Sequence, residues 1–334
     1  HPGALALLGN WTDAQTRAQI DRLKAAVVTI RSCAACVERQ AFARFPLRAA
    51  ILLHADREIQ QSFHTPISEQ VASCGAGRNA DMVEHLAAIL VLIDPNAGGF
   101  LRSFYLGMAD QAEWSHCFEQ SQTWARAGLK TYGSDAPLRM ALGIAAEAGA
   151  FFTLTPAPQS PGGGAAMARQ AGAIRARIRE LQEDARQAFD RAVTADPQLT
   201  QARLRLGRMQ WRLGQAENAR ASLEMVLAKT DDADLQYLAH LFLGRVLEDK
   251  GKLAEAEQHY RAAVGLQPLS ETSAVALSHA LYLRGDFEGA RQALATGLEA
   301  APKRVAYDPW VSYLVTQTNQ GNVILAKLRG DLTR

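Results

Sequence analysis

Between Gly207 and Pro302 one pattern of residues is written three times, and two of its copies keep a spacing of 34 residues. Gly244, Gly251, Ala256, Tyr260, Ala263 and Pro268 recur 34 positions later as Ser278, Gly285, Ala290, Leu294, Gly297 and Pro302. An earlier copy, Gly207, Gly214 and Ala219, stands 37 residues before the second, so three residues are inserted near Asp231-Asp232-Ala233. Six positions hold register together, which makes the period specific. A period of this length marks a copied supersecondary unit, and such units cover their apolar faces only by stacking on one another.

The residues explain the unit. Around Leu243-Gly244-Arg245-Val246-Leu247 apolar side chains recur at intervals of three and four, the signature of one helical face. Gly251 ends this first helix, because glycine adopts a left-handed backbone at little cost. The spacing predicts a second helix from Lys252 to Ala263, with Ala256 where the two helices cross. A larger side chain at that crossing costs ~1–3 kcal/mol through overpacking. Pro268 and Pro302 stop the second helices, since proline lacks an N–H and clashes with the preceding turn. The pattern resembles the tetratricopeptide repeat, and that resemblance implies an all-α, right-handed superhelical solenoid of stacked helix–turn–helix hairpins. It also implies a scaffold that binds a protein partner, without enzymatic activity.

Composition agrees with a helical chain: 48% of the 334 residues are hydrophobic, Ala and Leu are frequent, and β-branched runs are few. A formal net charge of +2 gives no general drive towards nucleic acid or an anionic membrane. The longest apolar run, Leu86 to Ile93, is too short to span a bilayer. The sequence starts at His1 and not at methionine, which fits either removal of a signal peptide or trimming of the chain. Four cysteines, Cys33, Cys36, Cys74 and Cys117, fall in the first 120 residues and are disulfide candidates, although four allow three pairings. Buried free thiols are the alternative. A periplasmic or secreted location is the expectation.

Three regions are expected. Residues 1–95 form an N-terminal helical cap with a divergent repeat, in which a helix opening at Trp11-Thr12-Asp13 runs past Val28, and Cys33 to Phe45, Leu47 to Gln60 and Asp81 to Ile93 read as helices around a loop from Ser73 to Asn79. Residues 96–303 form the solenoid. Its hairpin of Gly98 to Ala112 with Trp114 to Leu129 comes first, followed by a helix from Pro137 to Ala150 capped by Asp135 or Ser134. Thr153 to Gly164, rich in proline and glycine, reads as a loop inserted within a repeat. A long helix from Ala165 to Ala195 follows, with Ala185 standing 34 residues before Ala219, so one repeat is split by the insertion. Residues 304–334 supply a capping helix, beginning near Tyr307-Asp308-Pro309-Trp310 and Tyr313, over the last apolar face.

Proteins that this chain resembles bind partners on the concave face lined by the first helices. The inward positions are Arg208, Trp211 and Arg212, then Arg245, Glu248 and Asp249, then His279, Tyr282 and Leu283. Arginines beside a tryptophan and a tyrosine suit a carboxylate or an acidic, aromatic-containing segment. The alternative is a solvated helical face with Trp211 packed between repeats. The paired asparagines and lysines of the family's carboxylate clamp are missing, so the chaperone tails it binds are not expected here. Cys33-Ala34-Ala35-Cys36 has thiol–disulfide spacing, which gives a second hypothesis, a thiol-redox or haem-maturation accessory. Val37 follows Cys36 where c-type haem attachment needs histidine. A third hypothesis is a structural subunit of an extracellular or envelope assembly. Zinc at Cys33, Cys36 and Cys74 lacks a second paired motif, and the pairs His54/Glu58 and Asp81/His85, like His1 with its free amine, are weak metal signals. No catalytic motif, cofactor or metal is expected.

Overall fold

The computed structural model describes residues 97–114, 116–153 and 164–300, together with positions 87, 90, 308–310, 313 and 327. Every regular element among the described residues is an α-helix. The chain divides into two compact units, His1–Gly133 with Asn319–Arg334, and Ser134–Thr318.

In the first unit α1 (Ala97–Trp114) and α2 (Phe118–Tyr132) pack as a hairpin. Their aromatic residues drive it: Phe104 and Tyr105 are buried, with ring centroids 5.8 and 6.4 Å from that of Trp124. The Tyr132 hydroxyl donates to the Gly98 carbonyl at 2.8 Å and ties the open end of the pair.

The second unit runs α3 (Ala136–Phe152), α4 (Gly164–Ala195), α5 (Thr200–Arg212), α6 (Ala216–Lys229), α7 (Ala233–Asp249), α8 (Leu253–Leu266), α9 (Glu271–Leu283) and α10 (Phe287–Ala300). Each helix packs on the next, so four hairpins stack in sequence order, and α5, α7 and α9 also touch in turn. Gly214, Gly251 and Gly285 make the turns with φ of 81, 73 and 84°, the left-handed region that sequence spacing assigns to them. The small residues sit at helix crossings. A Cβ on Gly207 would lie 2.8 Å from Leu223, and one on Gly244 would fall within the Tyr260 ring. These pairs are 16 residues apart. The same contact joins α3 to α4, where Gly143 meets Phe189, although that pair is 46 residues apart.

Polar side chains start the first helices. Asp135 Oδ1 accepts from the Leu138 amide at 2.9 Å, and Ser270 accepts from the Ser273 amide at 3.3 Å. Asp232, within the three-residue insertion, accepts from the amides of Asp234 and Leu235 at 2.9 and 3.0 Å, so the extra residues supply a cap. Residues 154–163, expected as the inserted loop, lie outside the described residues. So do Pro302 and, apart from the helical Ala87 and Leu90, the helices and loop expected before Ala97.

Candidate functional site

The first helices α3, α5, α7 and α9 present one chemically uneven face. At its start, Glu147 on α3 is 4% exposed and takes two arginines from α5. Arg205 Nη1 donates to Glu147 Oε2 at 2.6 Å, and Arg208 Nη1 donates to Oε1. The Tyr313 hydroxyl also donates to Oε1, at 2.6 Å. Burial pushes the Glu147 carboxyl up, but Arg205, Arg208 and the Tyr313 hydroxyl outweigh it and hold the group below the usual carboxylate range. Two guanidinium groups share one carboxylate, and both also lie over aromatic faces. Arg205 lies 4.2 Å from the Tyr313 ring centroid, and Arg208 lies 5.1, 5.3 and 5.8 Å from Tyr313, Trp310 and Phe242.

Those aromatics show where the segment after α10 goes. Asp308 accepts from the Trp310 amide at 2.9 Å, with Pro309 as the first helical residue, so a helix does start there. Its Trp310 and Tyr313 were expected over the last apolar face of the stack. They instead pack on the first-helix face, against Phe242 of α7 and the α3–α5 ion cluster. Cation–π attraction and the Glu147 acceptor draw them there.

The expected partner-binding residues separate into two sets. Arg208 is only 7% exposed and is committed to Glu147, so it is no free surface cation. Arg212 and Arg245 are exposed. Arg212 covers the half-buried Trp211 ring at 5.7 Å, and Trp211 Nε1 donates to Asp249 of the next repeat at 2.7 Å. Burial, then repulsion from Arg208 and Arg245, lowers the Arg212 pKa from its ordinary value. Arg245 reaches Glu248 at 2.7 Å, and the exposed His279 of α9 approaches the same Glu248 oxygen at 3.2 Å. Tyr282 and Leu283 are 59% and 47% exposed, and Tyr282 meets Phe287 edge-on at 5.3 Å. Trp211, Arg212 and Asp249 thus converge, and Arg245, Glu248 and His279 form an adjoining group.

Sequence reasoning missed Glu147, Arg205 and the His240–His259 pair. One signal existed: Glu147 is the single charge in the run from Met140 to Phe152. His240 of α7 and His259 of α8 approach Nδ1 to Nδ1 at 2.9 Å, one neutral ring donating to the other. Burial lowers both, His240 to about 4 with the proximity of His259 adding to it. Cys117 is 2% exposed and is not a free thiol, whereas Cys33, Cys36 and Cys74 lie outside the described residues. The metal signals named at His1, His54, Glu58, Asp81 and His85 lie outside them too. Among the described residues no group of three or more His, Cys, Asp or Glu could hold a metal. No described helix is long and apolar enough to cross a membrane.

Two family models, each described as tetratricopeptide repeat, match this chain, one over residues 183–234 and 204–271 and the other over 247–308. Residues 183–308 thus carry tetratricopeptide repeats, and repeats of this kind support a role as a protein–protein interaction scaffold. Among solved structures it is similar to MamA of Desulfovibrio magneticus RS-1, with 16% identity, 62% of this chain and 98% of that one covered, and a TM-score of 0.46. It is similar to PilF of Pseudomonas aeruginosa, with 14% identity, 72% and 93% covered, and a TM-score of 0.49. A third is YrrB, described as a TPR protein with an unusual peptide-binding site, with 16% identity, 60% and 86% covered, and a TM-score of 0.42. Likenesses of this size carry no inference about partner or activity. A search of curated proteins gave no match.

Proposed function

We propose that this chain is a non-enzymatic scaffold that holds an acidic segment of a protein partner against the concave face of α5, α7 and α9. One observation carries the reading: Arg212 and Arg245 stand exposed on successive first helices beside Trp211, where Arg212 is already pressed by neighbouring positive charge. A carboxylate entering there relieves that repulsion and gains charge-assisted hydrogen bonds. Arg208 is committed to Glu147 and is not one of the free cations of this acidic-segment site.

The test is a fluorescence titration with a labelled peptide of glutamates around one tryptophan. The wild-type chain takes it up with an affinity that falls as salt rises. Replacing Arg212 and Arg245 together by alanine weakens uptake at least about tenfold, the effect of losing ~1.4 kcal/mol. Arg261→Ala with Arg291→Ala, on the second helices, leaves it alone. Equal losses in the two double variants would refute the face.

The reading also places the protein in an oxidising compartment, periplasmic or secreted, supported by the buried Cys117 that is not a free thiol. Native material then gains titratable thiols on reduction under denaturing conditions. An unchanged count refutes the compartment.

A further inference from the structure

Asp308, Trp310 and Tyr313 are held as a ligand's side chains would be held. A repeat touches chiefly its neighbours in sequence order, whereas this short stretch reaches side chains of α3, α5, α7 and α9 at once. At one end the Asp308 carboxylate gathers three hydroxyls. Ser270 and Thr272 donate to Oδ2 at 2.8 and 3.0 Å, and Tyr237 donates to Oδ1 at 3.3 Å. In the middle, Trp310 and Tyr313 lie three residues apart on one helical face, their rings stacked at 5.9 Å and 4°. Both pack edge-on against Phe242 and receive Arg208. At the far end the Tyr313 hydroxyl meets Glu147, and its carbonyl accepts from Arg205 at 3.4 Å.

Almost all these contacts join side chain to side chain. Acid, indole and phenol at relative positions 0, +2 and +5 satisfy the face, and any helical segment presenting that trio would satisfy it equally. The face itself is poorly suited to standing empty. It buries Arg208 beside Glu147, and the Arg208 Nε finds no hydrogen-bond partner among the described residues. Beside Tyr313, Ile144, Ala148 and the 41% exposed Phe151 line a small cleft that Glu147, Arg205 and Arg208 also border.

We propose that Asp308–Tyr313 is a displaceable strap occupying the first-helix face in cis. The partner segment that replaces it is a helix carrying an acidic residue followed by aromatic residues two and five positions later. This goes beyond the scaffold reading above: it concerns a different part of the first-helix face and names both a segment chemistry and its regulation. Apparent affinity for such a partner is then the intrinsic affinity scaled by the fraction of molecules with the strap released.

The probe is a labelled synthetic peptide copying residues 305–317, titrated by fluorescence anisotropy against the full chain. Two variants release the strap to different degrees. Asp308→Asn weakens the hydroxyl end and leaves the aromatic contacts, and Trp310→Ala with Tyr313→Ala removes the middle. Expected affinities rise from wild type through Asp308→Asn to the double variant, the last at least about tenfold above wild type. Far-UV circular dichroism checks the fold, and if the double variant loses helicity the Asp308→Asn comparison decides alone. Equal binding by wild type and folded variants overturns the strap while leaving the acidic-peptide reading at Arg212 and Arg245 standing. Loss of that acidic-peptide response, with the strap series intact, sinks the scaffold face and spares the strap. A released variant that dimerises and takes no peptide identifies a second copy as occupant and overturns the exogenous segment.

Discussion

Glu147 decides more than any other single side chain, because two guanidinium groups and a phenol converge on its carboxylate. Glu147→Gln keeps the shape and removes the carboxylate charge that two buried arginines share. Breaking a buried pair this way costs roughly 3–5 kcal/mol, whereas an exposed pair such as Arg177–Glu180 contributes about 0–1 kcal/mol. Chemical denaturation therefore shows a large fall in midpoint for Glu147→Gln and almost none for Glu180→Gln; comparable shifts would deny the cluster its role. The acid limb has the same origin. Glu147 has its pKa below the ordinary value of 4.5, so its contribution is complete above that pH and is lost as pH falls through the lowered value. Sequence alone could flag Glu147 as an isolated charge in an apolar helix. It could not find the partners, because Arg205 lies 58 residues away and Tyr313 lies 166 away.

At the scale of helices the sequence was far more legible, and for a physical reason. Gly251 and its counterparts mark turns because a left-handed backbone is needed there, and Gly207 and Gly244 mark crossings because no Cβ fits. Such requirements act through a single residue and survive in a lone sequence. The boundaries follow: α4 begins at Gly164 where Ala165 was expected, and α3 runs from Ala136 to Phe152 where Pro137 to Ala150 was expected. Contacts between helices are another matter. Nothing in the spacing of His240 and His259 announces that α7 and α8 bring them together. Their lowered pKa values carry a testable sign. The unfolded chain binds their protons near pH 6.5, and the folded chain resists doing so until about pH 4 at His240. Stability is thus full above pH 6.5 and declines as pH falls from 6.5 towards 4. Thermal melts across that range show the decline, and His259→Gln flattens it; a slope unchanged by the substitution would count against the pair.

For the whole molecule, a one-dimensional period told which helices pair and stack but not what lies across them. The period is local and repeats. The strap is a single non-local event, which no periodicity encodes, and its aromatics were accordingly assigned to the wrong surface. The surface expected from Gly207, Gly244 and Ser278 does bring Trp211, Arg212 and Asp249 together, yet Arg208, read from the same spacing, proves to be scaffolding. Position along a repeat therefore gives direction, and only the neighbouring repeats decide whether a side chain is free.

Gly143 and Phe189 hold α3 and α4 together across a separation almost three times that of Gly207 and Leu223. Since the crossing fixes how these helices meet, the number of residues between them matters little to the fit; each doubling of a connection adds only ~0.6 kcal/mol of closure entropy. Lengthening the chain between α3 and α4 therefore leaves the Gly143–Phe189 seam, and the hairpins after it, in their present register.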